Sequence, residues 1–326
     1  MDAMRAVVLE RAGAEPVLVE QERPLPVPGP GQVRLRVGAA GFSHHDALVL
    51  TGVLRRGVTL PRVPGHEVAG EVEAVGEGVA SSLAGLRAVV VPGALGHTAD
   101  GAFATHLLAP AAALMPIPSN LDMAPAALLA APLGVVLKGL AVVGLQAGET
   151  AVVTGASGGL GVHAAQAARS LGARVLGVSG SPEKLARLEA LGCFDAVLDG
   201  DGSWAEVVRA LTDEQGAGVV VDTVGGRGLT EAVRALAPAG RCLLLGELTG
   251  APAHLPVAEV VFREARLVGS LGVDRAHTER ALSLVLGGQV APVMDRELAL
   301  DAAGVREALG LLRSRAVVGR VVLRPA

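Results

Sequence analysis

A chain of 326 residues, 51% of them hydrophobic, is long enough for two domains with substantial cores. A formal charge of −4 excludes a general pull toward nucleic acid or anionic membrane, and no Lys/Arg block supplies a local one. Only two cysteines, Cys193 and Cys242, are present, which excludes a disulfide framework or a Cys-rich zinc lobe, and the absence of tyrosine excludes any mechanism that needs one.

The opening Met-Asp-Ala-Met-Arg lacks the charged-then-apolar pattern of a signal peptide, so a soluble cytoplasmic protein is expected. Val33, Leu35 and Val37 alternate with Arg34 and Arg36, the period of a half-buried strand. Segments 6–9, 17–19, 72–75, 88–91 and 103–108 read the same way, and Pro24, Pro26, Pro28 and Pro30 around Gly29 and Gly31 form a stiff connector. The first 120 residues therefore predict an irregular β domain, barrel-like or sandwich-like. Residues 124–145 are strongly apolar, but Pro125, Pro132 and Lys138 interrupt them, which predicts a buried helical region rather than a membrane span.

From about residue 121 the pattern changes. Apolar runs at 151–154, 175–178, 196–198, 219–222, 242–246 and 267–270 alternate with helical stretches near 160–171, 182–191, 203–211 and 228–236. Continuous apolar strands separated by helices predict a parallel sheet covered on both faces, and right-handed crossovers make it a doubly wound nucleotide-binding fold. The tail, 273–326, carries a helical pattern and a final strand over 317–323.

The first of these strands runs into Gly155-Ala156-Ser157-Gly158-Gly159-Leu160-Gly161, and a helix follows. The glycines allow a tight turn and let backbone approach a pyrophosphate, while the helix N-terminus supplies N–H groups and a positive dipole end. Its position between a buried strand and a helix gives a weak motif its weight. An NAD-preferring fold usually ends its second strand with Asp or Glu. Here that position is Ser179, followed by Ser181 and Lys184. No carboxylate repels a 2′-phosphate there, both serines can hydrogen-bond one and Lys184 can supply charge, so NADP(H) is the expected cofactor. An uncommitted, solvated Lys184 beside Glu183 is the alternative.

The whole chain resembles the medium-chain dehydrogenase/reductase superfamily, closest in type to its zinc-free quinone oxidoreductases, the zeta-crystallin-like branch. The matching pieces stand in family order: residues 40–46 (AGFSHHD), 64–72 (PGHEVAGEV), 75–79 (VGEGV), 100–105 (DGAFAT), the turn 155–161, 221–225 (VDTVG), 239–241 (AGR) and 318–323 (VGRVVL). The resemblance implies an α/β protein: a GroES-like β domain from 1–120 and 273–326, a doubly wound parallel-sheet Rossmann domain from 121–272, an interdomain cleft and hydride transfer. It also implies a homodimer joined through the last Rossmann strand, 267–270, with Gly246 at the edge of the ribose-nicotinamide cleft and Arg320 a candidate for cofactor contact. Arg320 as an exposed end-of-strand charge is the alternative.

The departures from the family are equally informative. Zinc alcohol dehydrogenases hold their metal with a Cys, a His beside a Glu, and a second Cys. This chain has Ser43 at the first Cys position, keeps His66 and Glu67, and has Ala131 at the second. Serine and alanine cannot replace thiolates, and 93–101 runs straight through where the four-cysteine lobe would sit, so no metal is expected. A rebuilt site from His44 or His45 with His66 and Glu67 is the alternative. His45 stands where the zinc enzymes place a proton relay, and a histidine can donate a proton at neutral pH. Quinones and conjugated enones spread the charge left by hydride over their own π system, so they need less electrophilic help than an aldehyde. The expected reaction is NADPH-dependent reduction of such an acceptor, with Ser43, His44 or His45 bonding its oxygen or relaying a proton. The alternatives are a zinc-free enoyl, acyl or specialised-metabolite reductase, and an NADPH-binding protein with little turnover. The tyrosine many enoyl reductases of the superfamily use is missing from 49–54, and the turn's position and the lack of a Tyr-x-x-x-Lys pair separate the chain from short-chain reductases.

Overall fold

The computed structural model describes residues 3–248, 250 and 252–325. They divide into two compact units, one drawn from Met1–Ala131, Val273–Leu282 and Met294–Ala326, the other from Pro132–Gly272 and Ser283–Val293.

The first unit opens with an antiparallel pair, β1 (Ala3–Arg11) and β2 (Val17–Pro24). Then come β3 (Gln32–Phe42), α1 (His44–Thr51), β4 (Glu67–Val75), β5 (Arg87–Val90), β6 (His106–Pro110), β7 (Leu114–Pro116) and the short α2 (Met123–Ala127). Val33, Leu35 and Val37 are buried, as their alternation predicts. Phe42 and Phe103 stack at 5.8 Å between ring centroids in the core of this unit. Full burial of such a side chain contributes roughly 1.5–3 kcal/mol. The strand expected over 103–108 starts only at His106. Phe103 is spent elsewhere: its N–H donates to Pro64 O at 2.9 Å and its carbonyl accepts from Val7 N at 2.8 Å.

The apolar region 124–145 is helical but broken. A π-helical stretch, Leu129–Gly134, has Ala131 in extended conformation (φ −132°, ψ 124°) before Pro132, and α3 (Val135–Val143) follows. Proline lacks an N–H and pushes its predecessor out of the helical region, which accounts for the break. Among the described residues no helix is long and apolar enough to cross a membrane.

The second unit then alternates strand and helix: β8 (Thr150–Thr154), α4 (Gly159–Ser170), β9 (Arg174–Ser179), α5 (Leu185–Ala190), β10 (Ala196–Asp199), α6 (Trp204–Ala210), β11 (Ala217–Asp222), α7 (Leu229–Arg234), β12 (Leu236–Leu244), α8 (Val257–Phe262) and β13 (Arg266–Gly269). All neighbours are parallel, in the order β10-β9-β8-β11-β12-β13. The order reverses direction between β8 and β11, the arrangement of a doubly wound Rossmann sheet. Val152, Leu176, Val220 and Cys242 pack with Trp204 in its core. The helix expected over 182–191 begins as a 3-10 turn, Pro182–Lys184, and β12 stops at Leu244, short of Gly246.

The tail contributes α9 (Arg275–Leu286), β14 (Met294–Ala299), α10 (Ala302–Arg313) and β15 (Arg320–Arg324). β15 lies between β14 and β3 in the order β14-β15-β3-β4-β5-β7, with β6 also pairing β3. The patterning missed β14, since Met-Asp-Arg-Glu-Leu-Ala has no apolar run; its strand character comes from parallel pairing with β15. The final strand begins at Arg320 rather than 317.

Candidate active site

The second unit presents the glycine turn. Gly155 has φ +59°, and a side-chain carbon there would meet Thr223 Oγ1 at 2.5 Å. A side chain on Gly161 would lie 2.2 Å from Gly155 O, so only glycine lets the first turn of α4 close over the loop. Ala156 N donates to Val178 O at 3.0 Å and Gly158 N to Gly155 O at 2.8 Å, fixing the turn against β9. Ser157 and Leu160 are half-buried, and Gly158 is exposed. No side chain caps α4, whose N-cap is Gly158 and whose first residue is Gly159. Its leading N–H groups and dipole thus make an anion-binding end, and the residues fit a dinucleotide pyrophosphate.

A network that the sequence reading did not assign ties this turn to β11. Thr154 Oγ1 donates to Asp222 Oδ1 at 2.6 Å, and the same oxygen accepts from Val224 N and Gly225 N at 3.1 and 3.2 Å. Thr223 Oγ1 donates to Thr154 O at 2.9 Å. The ends of β8 and β11 are locked together at the point where the sheet reverses, the usual ligand edge of such folds. Gly246 joins them: a side chain there would meet Thr223 O at 2.4 Å.

The residues expected to read the 2′-phosphate fare differently. Ser179 ends β9, is 2% exposed, and its Oγ is buried with no hydrogen-bond partner. Such an oxygen fits a hydroxyl or phosphate of a bound nucleotide. Ser181 instead donates its hydroxyl to Glu183, in a solvent-exposed position. Lys184 is buried at 5% exposure, so it is not the solvated residue of the alternative reading.

The first unit presents a cluster at the start of β4. Ser43 caps α1 and is 3% exposed. Its N–H and Oγ both donate to Asp46 Oδ2 at 2.9 Å, so its hydroxyl proton serves this capping box and not an acceptor oxygen. Asp46 Oδ1 holds His66 Nδ1 at 3.1 Å. The His45 ring lies 4.5 Å from that of His66 and 5.9 Å from that of His97. His44, the first residue of α1, is half-buried beside them in sequence.

The electrostatics redistribute the expected roles. Burial is the main cause that lowers the His45 pKa to about 4, with His66 adding to it, so His45 is a neutral imidazole at pH 7. That corrects the expectation of His45 as proton donor. Burial alone would also lower His66, but the Asp46 carboxylate, its hydrogen bond and Glu67 outweigh it and hold His66 above the ordinary range. Burial would raise Asp46; His66, through its charge and hydrogen bond, holds it below the usual carboxylate range. Of these histidines His66 is the one whose surroundings favour the protonated ring, and Asp46 orients it.

Arg320, a candidate for cofactor contact, is 9% exposed and turned to Glu67, with Nη2–Oε1 2.8 Å and Nε–Oε2 3.2 Å. This two-pronged pair corrects the exposed end-of-strand alternative as well. Pairing of β15 with β3 and of β3 with β4 aligns the two residues, and Gly41 leaves the room: a side chain there would stand 2.2 Å from Glu67 Oε2.

A zinc ion of the cysteine-containing kind does not fit these residues. Ser43 is hydrogen-bonded to Asp46 and Ala131 offers no donor atom. The two cysteines belong to the second unit, where burial pushes Cys193 up to about 11 and Cys242 up to about 12, keeping both as thiols.

Sequence reasoning missed His97 and the active pairing of Asp46. The Ser43-x-x-Asp46 spacing just before a helix was a usable capping signal. His97 lies in a loop with no pattern to mark it.

Comparison with known proteins gives a consistent picture. Residues 29–119 match the family model of the alcohol dehydrogenase GroES-like domain, and residues 159–287 that of the zinc-binding dehydrogenases. The acryloyl-coenzyme A reductase of Metallosphaera sedula is 30% identical over 91% of this chain and 93% of its own. The quinone oxidoreductase of Rattus norvegicus is 29% identical over 74% of this chain and 73% of its own. A crystallographically solved NAD-dependent alcohol dehydrogenase superposes with a TM-score of 0.90, at 34% identity, covering 99% of this chain and 100% of that one.

Proposed function

Since the chain belongs to the medium-chain dehydrogenase/reductase superfamily and is quinone oxidoreductase-like within it, we propose that it is an NADPH-dependent oxidoreductase that reduces a quinone or another electron-poor conjugated carbonyl without zinc. The observation that carries this reading is the Asp46–His66 pair, 3.1 Å apart, at a site where both thiolate positions are filled by Ser43 and Ala131. An acceptor that delocalises its own charge needs a proton and correct placement more than a Lewis acid.

The dinucleotide, when bound, supplies hydride. Residues 155–161 and the N-terminus of α4 hold its pyrophosphate, Gly246 and Thr223 border the same edge, and Ser179 with Lys184 take the 2′-phosphate. On the other unit His66 delivers the proton that completes the reduced acceptor, and Asp46 fixes its ring and tautomer. His45, neutral, hydrogen-bonds the acceptor oxygen, with His44 beside it; Ser43 positions Asp46.

A second reading, reduction of an enoyl thioester, is favoured by the acryloyl-coenzyme A reductase, whose similarity extends over 91% of this chain. Both acceptors are conjugated carbonyls. Metal-stripped protein assayed with NADPH and NADH against quinones, enones, enoyl thioesters and aldehydes separates them. Turnover confined to aldehydes and alcohols, or dependent on added zinc, defeats both. Lys184→Ala is expected to weaken NADPH far more than NADH, and equal losses defeat the phosphate role.

The proposed assembly is a homodimer through β13. That strand ends the sheet, and Phe262 (87% exposed) and Leu271 (91%) flank it. An unpartnered apolar edge is open to pairing. Light scattering at the mass of one chain would remove this proposal.

A further inference from the structure

On the reading of residues 155–161 as a pyrophosphate turn, we propose that His163 is a positioning residue that couples dinucleotide binding at α4 to residues 291–293, the last of the second unit before β14.

His163 lies one turn into α4 and is fully buried. Its neighbours along the helix are small and apolar: Ala164, Ala165, Ala167 and Ala168 are buried too. An imidazole in such surroundings is costly unless both nitrogens are bonded, and here both are. Nδ1 lies 2.6 Å from Gly159 O, one turn back, and Nε2 accepts from Val293 N at 3.1 Å. A carbonyl oxygen only accepts and a backbone N–H only donates, so the proton sits on Nδ1 and the ring faces one partner with each nitrogen.

The bond to Gly159 reaches the anion-binding end of the helix. The Gly159 carbonyl belongs to the same planar peptide group as the Leu160 N–H. That N–H is among the first of α4, which the helix itself does not bond and which serve a bound anion. A hydrogen bond to a peptide oxygen polarises the group and strengthens its N–H as a donor. Val293 N–H, the imidazole and the Gly159–Leu160 peptide thus line up as a hydrogen-bonded chain from the 291–293 segment to the turn. Gln166, further along α4, holds the same segment in another way. Its Nε2 donates to Ala291 O at 2.8 Å, and its Oε1 accepts from Ala291 N at 2.7 Å. Pro292, between the two held residues, has no N–H to offer. Gln166 therefore attaches the segment, whereas His163 touches both the segment and the turn. Because linkage is reciprocal, whatever a bound pyrophosphate adds to this chain at the turn it also adds at Val293.

The test is hydrogen-exchange mass spectrometry on the full-length protein, with and without saturating NADPH, together with fluorescence titration of NADPH and NADH. Peptides spanning 291–293 exchange more slowly once NADPH is bound. His163→Asn keeps a donor on the Gly159 side but no acceptor at Val293 N, and loses most of that slowing. His163→Leu loses both bonds and weakens NADPH and NADH alike by about fivefold or more, since the pyrophosphate is common to both. Gln166→Leu speeds exchange over the segment in the free protein but leaves both affinities within about twofold, a change too small to mark coupling. Unchanged exchange over 291–293 in a parent protein that binds NADPH overturns the proposal, as does a folded His163→Leu protein that binds both dinucleotides as the parent does. If circular dichroism shows that His163→Leu does not fold, the parent's exchange and His163→Asn decide. A parent that binds neither dinucleotide defeats the cofactor reading itself, which is a separate result.

Discussion

The glycine turn of the second unit and the histidine end of the first solve the problem of building a site in opposite ways. The turn is made of backbone and of missing side chains, within a dozen consecutive residues. The histidine end is made of side chains brought together from distant strands: Ser43 and Asp46 after β3, His66 and Glu67 at β4, Arg320 at β15. A site of the first kind fails by collision. A site of the second kind fails by loss of a partner.

The largest expected effect tests the second kind. Arg320→Met leaves Glu67 buried without its two-pronged guanidinium, with only His66 Nε2 at 3.8 Å facing it, and is expected to cost about 3 kcal/mol of unfolding free energy, read from denaturant midpoints. Adding Glu67→Gln should return part of that loss, because the uncompensated charge goes with it. If the single variant is as stable as the parent, the pair is not what holds β15 to β4.

The pH dependence of stability sharpens the same contrast. His45 is neutral when folded down to about pH 4, whereas the unfolded chain protonates it near pH 6.5. The unfolded state therefore binds the extra proton between those values, and stability falls as pH falls, by about 2 kcal/mol between pH 7 and 5. His66 runs the other way: its raised pKa adds stability at acid pH that is lost as pH rises through the folded value. His45→Gln isolates the first effect, and its denaturant midpoint should change less between pH 7 and 5 than the parent's. An identical slope in both proteins would show that His45 is charged in the fold.

Gly161→Ala tests the first kind of site. The added carbon meets Gly155 O at 2.2 Å and must displace the turn, so dinucleotide affinity should drop by roughly tenfold, about 1.4 kcal/mol. Fluorescence titration with NADPH measures it, and an unchanged Kd would mean that the dinucleotide binds elsewhere. The smallest effect concerns association alone: Phe262→Asp should shift the dimer–monomer balance toward monomer and leave the helical content intact.

Legibility in the sequence follows the same division. The parallel strands were readable because each is buried on both faces, so Val152, Val220 and their neighbours form unbroken apolar runs. The turn was readable because residues 155–161 act through adjacent backbone. The family resemblance, drawn from short motifs in order, was borne out by the domain matches. The histidine end was only half-readable. His45 looked like a proton donor because its burial against His66 and His97 leaves no mark in sequence. Arg320 looked free because its partner stands far away along the chain. β14 was missed because it is held by pairing with β15, not by its own residues.

That distance has a consequence for biosynthesis. Glu67 is made 253 residues before Arg320, the cation it is paired with. At about 5–20 residues per second, the nascent chain carries an unpartnered carboxylate for roughly 13–50 s. β15 also sits between β14 and β3, so the first unit's sheet cannot close until the last strand has left the ribosome. All six strands of the second unit's sheet, β8 to β13, are synthesised inside that interval. The half of the molecule that begins first is thus the half that finishes last, and a truncation that removes β15 takes out an interior strand, the one that joins β14 to β3.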